Sequence, residues 1–357
     1  MDFLRFADMK DISRESLYLN SFTCIITFFL NRGACFTFLI IPAVFFSCTM
    51  REGLPQKDID SKVICNTTTK VLLQEAEILT LDAFVFEEKG KLECYQRVES
   101  PDKICEIASG SGEKQLLLVA NSDKDIYEWA EIKSLALASD IYSDLEDETC
   151  AHPMMTSLQT ITAGQDTSVD LLPLRCEIIL RSLRCDFSGK PYQDESLTDI
   201  KIYLTYVNAS CSILPPQRIL PLRIIGAGIL DKQQLNCFRE KGIIWSEIDE
   251  SVGKEAVQIN RSLFCYANEP VEESIGSPFT RLVIEGSIGG NTYYYPIKIN
   301  SRKGGIARGC RYVFDVILTK TGATEPDGEL TEEDMEIKME VMKWREKDWY
   351  TVSFWQF

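Results

Sequence analysis

Leu282-Val283-Ile284-Glu285-Gly286-Ser287-Ile288-Gly289-Gly290-Asn291-Thr292-Tyr293-Tyr294-Tyr295-Pro296-Ile297-Lys298-Ile299 reads as a β-hairpin. Leu282, Ile284 and Ile288 lead through Gly289-Gly290-Asn291 into Tyr293, Tyr295, Ile297 and Ile299. Apolar residues at period two share one face of a sheet, and a Gly-Gly step between such runs is a hairpin turn signal. The same period recurs on both sides of this stretch. Ile200, Ile202, Leu204 and Tyr206 alternate with Lys201, Tyr203 and Thr205; Tyr312, Phe314, Val316 and Leu318 form another run. Met335, Ile337, Met339 and Val341 alternate with Glu336, Lys338 and Glu340, and Tyr350 to Phe354 closes the series. Upstream, Leu81 to Phe86 reads as a strand, Glu87 to Leu92 as a turn on Gly90, and Leu116 to Ala120 as a fully buried strand. Ile126, Trp129, Ile132 and Leu135 fall at helical spacing and predict one short amphipathic helix over Asp125 to Leu137. Regularly spaced short strands with Gly, Pro, Asn and Asp turns predict an all-β chain built as β-sandwiches. The least structured stretch, Ala163 to Thr167, sets the expected boundary between two domains near residue 168.

Composition narrows the function. The 357 residues carry 54 acidic and 38 basic side chains, a formal net charge of −16, with no Lys/Arg-rich run. Such a surface repels a nucleic-acid backbone. A single histidine, His152, nearly excludes catalytic schemes that need a histidine pair or a histidine-rich metal site. His152 lies beside Asp144, Glu146, Asp147 and Glu148, where a loop histidine among solvated acids is the plain reading. The clusters Glu247 to Glu250 and Glu325 to Asp334 do not have EF-hand spacing and read as solvated turns. No nucleophile-elbow, zincin or P-loop motif occurs. The expectation is a non-enzymatic protein with no catalytic residues, no metal and no cofactor. Tyr293-Tyr294-Tyr295 offers rings for stacking on a sugar, although in a period-two strand two of them face a core.

The first 47 residues hold four acids and four bases, so the acidity belongs to the remainder. Ala34 to Phe46 is an apolar run of 13 residues behind Arg32. That is too short for the ~20 residues of a membrane span and suits a signal-peptide core. Residues 1–47 are therefore read as a signal peptide, and residues 48–62 as a tether. Ser47-Cys48 resembles the end of a bacterial lipobox, although Phe45 and Phe46 replace the usual Leu and small residue. On that resemblance Cys48 is the lipidation site, carrying palmitate-type acyl chains into the outer membrane. Of the 13 cysteines, ten lie beyond Cys48, none spaced as Cys-x-x-Cys. They read mostly as small buried hydrophobes, with one or two disulfides open.

The order of segments carries a resemblance. Leu81–Phe86 with Gly90-Lys91-Leu92, Leu117 to Asn121, and Met154-Met155-Thr156 resemble the N-terminal domain of fimbrillins, the subunits of bacterial type V pili. Leu174 to Ile178, Ile202 to Val207, Tyr293 to Ile297, Ile306 to Tyr312 and Trp344 look like their second domain. The resemblance implies two transthyretin-like β-sandwich domains, residues 63–168 and 169–357. It also implies export to the outer membrane and cell surface as a lipoprotein, adhesion, and association with other fimbrial subunits by donor-strand exchange, with a host or bacterial surface receptor as a further partner. The displaced strand would lie at Val63, Ile64 and Cys65, and Asn66 to Lys70 would be the loop cut on maturation. Polymerising fimbrillins have an arginine there; this chain has Lys70, and no arginine between Arg51 and Arg97. Either another trypsin-like protease cuts at Lys70, or the chain is an uncleaved anchor or accessory subunit. Tyr350, Val352 and Phe354 form the candidate donor strand, which reads equally as an ordinary closing strand. The rival function is a surface lipoprotein that never polymerises and binds glycan.

Overall fold

The computed structural model describes residues 67–73, 78–124, 129, 131–214, 223–238, 240, 242–270, 272–300, 304–331, 333–343 and 349–353. The expected signal peptide and tether, with Cys48, Val63, Ile64, Cys65 and Phe354, lie outside them. Among the described residues no helix is long and apolar enough to cross a membrane.

Nine strands come first: β1 (Thr67–Leu73), β2 (Thr80–Glu87), β3 (Leu92–Glu99), β4 (Ile104–Ser109), β5 (Glu113–Ala120), β6 (Tyr142–Asp144), β7 (Met155–Thr162), β8 (Thr167–Val169) and β9 (Leu172–Pro173). The next six are β10 (Arg175–Cys185), β11 (Thr198–Thr205), β12 (Val207–Asn208), β13 (Ser210–Ser212), β14 (Ile224–Ile225) and β15 (Trp245–Ile248). The last are β16 (Val257–Tyr266), β17 (Arg281–Ile288), β18 (Asn291–Lys298), β19 (Cys310–Leu318), β20 (Met335–Lys343) and β21 (Trp349–Ser353). Among the described residues two short helices are complete, α1 (Leu135–Ala138) and α2 (Lys232–Cys237).

The all-β expectation holds. The N-terminal strands form a five-stranded sheet in the order β3-β2-β5-β7-β9 and a three-stranded sheet in the order β4-β1-β8. Between these sheets lies one core: Val71, Cys105, Ile107 and Val169 meet Leu81, Ala83, Val85, Leu116 and Leu118. The C-terminal strands form a five-stranded sheet, β16-β10-β19-β20-β21, and a four-stranded sheet, β15-β11-β17-β18. Pro173 still pairs with β7, and β10 begins at Arg175.

The five-stranded N-terminal sheet is apolar on both faces, which explains the unbroken composition of Leu116 to Ala120. Leu116, Leu118 and Ala120 face the core just described, while Leu117 and Val119 join Phe84, Phe86, Trp129 and Ile132 in the larger cluster that includes most of the buried C-terminal side chains. Hydrophobic packing is thus continuous across residue 168. Phe84 meets Tyr95 and Trp129 with ring centroids 4.9 and 5.4 Å apart.

The helix differs from expectation. Leu92 N–H donates to Lys133 at 2.9 Å and Leu135 N–H to Gly90 at 2.8 Å. These bonds hold the chain against the turn after β2, and α1 begins at Leu135, capped by the Ser134 hydroxyl, which accepts from Leu137 N–H. Trp129 and Ile132 are buried as expected, and Trp129 is helical, while residues 125–128 and 130 of the expected helix lie outside the described residues. Sequence reading passed over α2, although Asp231 and Gln234 carry its capping box.

The hairpin of β17 and β18 turns on Gly289 and Gly290, at φ +56° and +82°, with Ile288 paired to Asn291. Two successive positive φ values define the tight turn matching the strand twist. Asn291 already belongs to β18. Of the tyrosine triplet, Tyr295 is buried and donates to Lys320 O at 2.9 Å, and Tyr293 packs on the core. Those two rings therefore serve packing.

Candidate functional site

β1 is central in its sheet, antiparallel to β4 from Thr67 opposite Ser109 to Leu72 opposite Ile104, and parallel to β8 from Val71 opposite Thr167. Thr69 and Val71 point inward with no exposure, whereas Thr68 and Lys70 are exposed. Thr69 Oγ1 also accepts from Gly164 N–H at 3.1 Å. Thr67 to Lys70, expected as the cleavage loop, is therefore strand. Three successive β-branched threonines followed by Val71 favour extended pleated backbone, with β4 paired along Thr67 to Leu72 and β8 along Val71 to Leu73. Lys70 sits within β1 opposite Glu106. The four residues after the strand, Gln74-Glu75-Ala76-Glu77, contain no basic residue.

Because β1 is central, its loss would leave facing edges of β4 and β8 unpaired and open the core at Val71. Such a slot presents backbone donors and acceptors on both sides with an apolar floor. No titrating group or metal is needed for it to act; its chemistry is main-chain pairing.

β21 lies at one edge of the C-terminal five-stranded sheet, antiparallel to β20, with Tyr350 opposite Val341 and Val352 opposite Met339. Within one chain it serves as a closing strand. Its outer edge carries no strand among the described residues.

A second feature lies where the two halves meet. Glu148 is 6% exposed and Arg175, the first residue of β10, 2%. Their charged groups are 3.8 Å apart. Glu148 also accepts from Met154 N–H at 3.3 Å and from the Tyr266 hydroxyl at 3.2 Å, which itself lies 2.9 Å from Ser143 Oγ. The Arg175 guanidinium donates to the carbonyls of Thr149 and Cys150 and stacks 3.9 Å from the Phe264 ring centroid. Burial pushes the Glu148 carboxyl up to about 7, with Arg175 and the hydrogen bonds pulling it back; burial likewise lowers Arg175. The acidic run expected to be solvated is thus divided. Asp144 and Glu146 pair with Arg223 on the surface, whereas Glu148 turns inward. His152 lines a pocket of about 210 Å³ together with Ser143, Asp147, Glu148 and Met154. Sequence reading missed the Glu148–Arg175 pair, because the partners are 27 residues apart and nothing local distinguishes them.

The pair has a pH signature. Below about pH 4.5 the Glu148 carboxyl is protonated in both folded and unfolded chains. Between there and about 7 the unfolded chain releases the proton while the folded one keeps it, so stability falls as pH rises. The component amounts to about 3 kcal/mol across that window. Glu148→Gln should remove it: the difference in unfolding free energy between parent and variant, from urea titrations at pH 4.5 and 7, should change by about that amount. An unchanged difference would place the carboxyl's titration elsewhere.

The comparisons agree with the expected resemblance. Residues 65–169 match the family model described as major fimbrial subunit protein (FimA). No curated protein sequence matches. Among solved structures, the chain is similar to a protein from Bacteroides eggerthii described as a candidate for cell adhesion, with a TM-score of 0.60 and 15% identity over 78% of this chain and 96% of that one. It is similar to a fimbrilin of Porphyromonas gingivalis, with a TM-score of 0.56 and 14% identity over 79% and 99%. A tip fimbrial protein of the same organism, with a C-terminal truncation, aligns at a TM-score of 0.50 and 12% identity over 78% and 99%. The fimbrillin resemblance therefore stands, carried by the family model over residues 65–169 and by the fold over most of the described chain.

Proposed function

We propose that this chain is a structural subunit of a cell-surface fimbria, exported as a lipoprotein through Cys48 and joined to its neighbours by donor-strand exchange. The observation that carries the reading is the central position of β1 in a three-stranded sheet. Removal of a central strand creates a slot that a strand from another copy can fill by main-chain pairing, with alternate side chains in the pockets. The candidate donor supplies Tyr350, Val352 and Phe354 at the spacing of Thr69 and Val71. At about 1 kcal/mol net for each hydrogen bond, a strand of this length makes a durable joint. In this reading the displaced segment takes in Val63, Ile64 and Cys65 and the strand that follows them, Thr67–Leu73. Adhesion follows from the assembled filament, which holds its outermost subunit away from the surface.

One observation favours an uncleaved subunit instead. Lys70 lies inside a paired strand, and no basic residue follows before Lys89. A trypsin-like protease needs an extended, unpaired substrate, so β1 would have to open first. A chain that keeps β1 would accept no donor and would end a filament as its membrane anchor. The mass of the mature N-terminus from surface-purified protein separates the readings. An acylated N-terminus at Cys48 with Val63 retained identifies the anchor, and an N-terminus at Val71 identifies the polymerising subunit. An unprocessed N-terminus without lipid would remove the lipoprotein route altogether.

A further inference from the structure

Three cysteines scattered through the sequence come side by side in the C-terminal five-stranded sheet. Cys176 on β10 is the registered partner of Cys265 on β16. On its other flank, Glu177 pairs with Arg311, which places Cys310 of β19 beside Cys176. All three are buried in the core, with Cys176 and Cys265 at zero exposure. Cys211 of β13 comes close enough to interact electrostatically with Cys176.

We propose that Cys176 and Cys265 form a disulfide that staples β16 to β10, closed by a disulfide-bearing oxidant while the exported chain folds. Residues directly opposite in an antiparallel ladder have Cα atoms about 4.5–5.5 Å apart, inside the roughly 4.4–6.8 Å that a disulfide spans. Their side chains leave the sheet on one face, as the core positions of Ile178 and Leu263 next to them confirm. Both sulfurs are thiols in this structure, and Cys176 Sγ donates weakly to Ala307 O at 3.1 Å. Closing the bridge exchanges that contact for a covalent bond. Cys310 is the poorer partner, because its strand runs parallel to β10.

The chemistry is two successive exchanges. The Cys265 thiolate attacks the oxidant's disulfide, forming a mixed disulfide and expelling one thiolate. Cys176 then attacks the Cys265 sulfur and expels the second. The protein loses two electrons and two protons, and the oxidant's disulfide becomes two thiols. The step belongs to folding, because afterwards neither sulfur is accessible and burial pushes the Cys265 thiol up to about 12 and Cys176 well up as well.

The consequence is an asymmetric sheet. Its two edges are β16 and β21, and the staple would fix the first while leaving the second held by hydrogen bonds alone. Under donor-strand exchange, on which this consequence rests, the staple confines strand release to the edge that carries the candidate donor.

The test uses the full chain, unfolded in denaturant with reductant and refolded by dilution into a mixture of reduced and oxidised glutathione. Remaining thiols are blocked with N-ethylmaleimide under denaturing conditions, and the digest is analysed by mass spectrometry. A linked peptide pair containing Cys176 and Cys265 is expected, lost on reduction and absent from Cys265→Ser. The bridged form should melt roughly 5 °C above the reduced one. Refolded protein with both residues alkylated, or with Cys176 linked to Cys310, overturns the proposal. Refolding involves no export, so its failure bears on the pair alone. A bridge that forms on refolding but is absent from surface-purified protein counts against delivery into an oxidising compartment.

Discussion

Cutting the chain just after β1 is expected to convert a monomer into a ladder of heat-labile, detergent-resistant multimers on an unboiled gel. The size of the effect follows from where β1 lies. It donates and accepts on both edges, to β4 and to β8, and Val71 seals the core between the sheets. Several hydrogen bonds at about 1 kcal/mol each and a buried valine at about 1.5–3 kcal/mol are comparable with the whole stability of a domain, about 5–15 kcal/mol. A chain that loses this strand must either unfold or take another in its place. A specific protease site set into residues 74–77 supplies the cut. Deleting residues 349–357 from the cut chain should abolish the ladder, and adding a peptide of those residues to the cut full-length chain should cap it as monomer. A cut chain that releases residues 1–73, stays folded and binds no such peptide would falsify donor-strand exchange here.

Arg175→Ala should lower unfolding free energy by about 3–5 kcal/mol at pH 7, the usual result of stranding one member of a buried ion pair. Three losses combine: the counter-charge of Glu148, the donors to the Thr149 and Cys150 carbonyls, and the packing on Phe264. Replacing both partners, as Arg175→Leu with Glu148→Leu, should cost distinctly less, because no charge is then left without its partner. Lowering the pH to 5 should shrink the single-variant penalty, since the carboxyl is then protonated in the folded chain. Urea midpoints for the four members of the cycle give the coupling directly. A cost below 1 kcal/mol for Arg175→Ala, or equal costs for single and double variants, would show that the pair does not hold the junction.

Much of the strand plan was legible because its periodicity is local. The hairpin of β17 and β18, the buried β5 and the alternating β20 follow from side-chain order and turn glycines alone. Where reading failed, a distant partner decided the outcome. Between the helical Trp129 and the helix at Leu135–Ala138 the chain leaves helical geometry, because the turn after β2 binds Lys133 and Leu135. Thr67 to Lys70 resembles a polar loop in isolation and is strand because β4 pairs along it, while β8 pairs with the strand's second half from Val71. Glu148 resembled its solvated neighbours until Arg175 and Tyr266 closed over it.

By itself the sequence determined the class of the fold and its net acidity, because composition and period-two alternation act over a few residues. Only the tertiary structure decided that β1 is a central strand, that β21 is an edge, and that Cys176 faces Cys265. Those are relations between segments tens or hundreds of residues apart. They are settled by which pairings bury the most apolar surface with every backbone group satisfied.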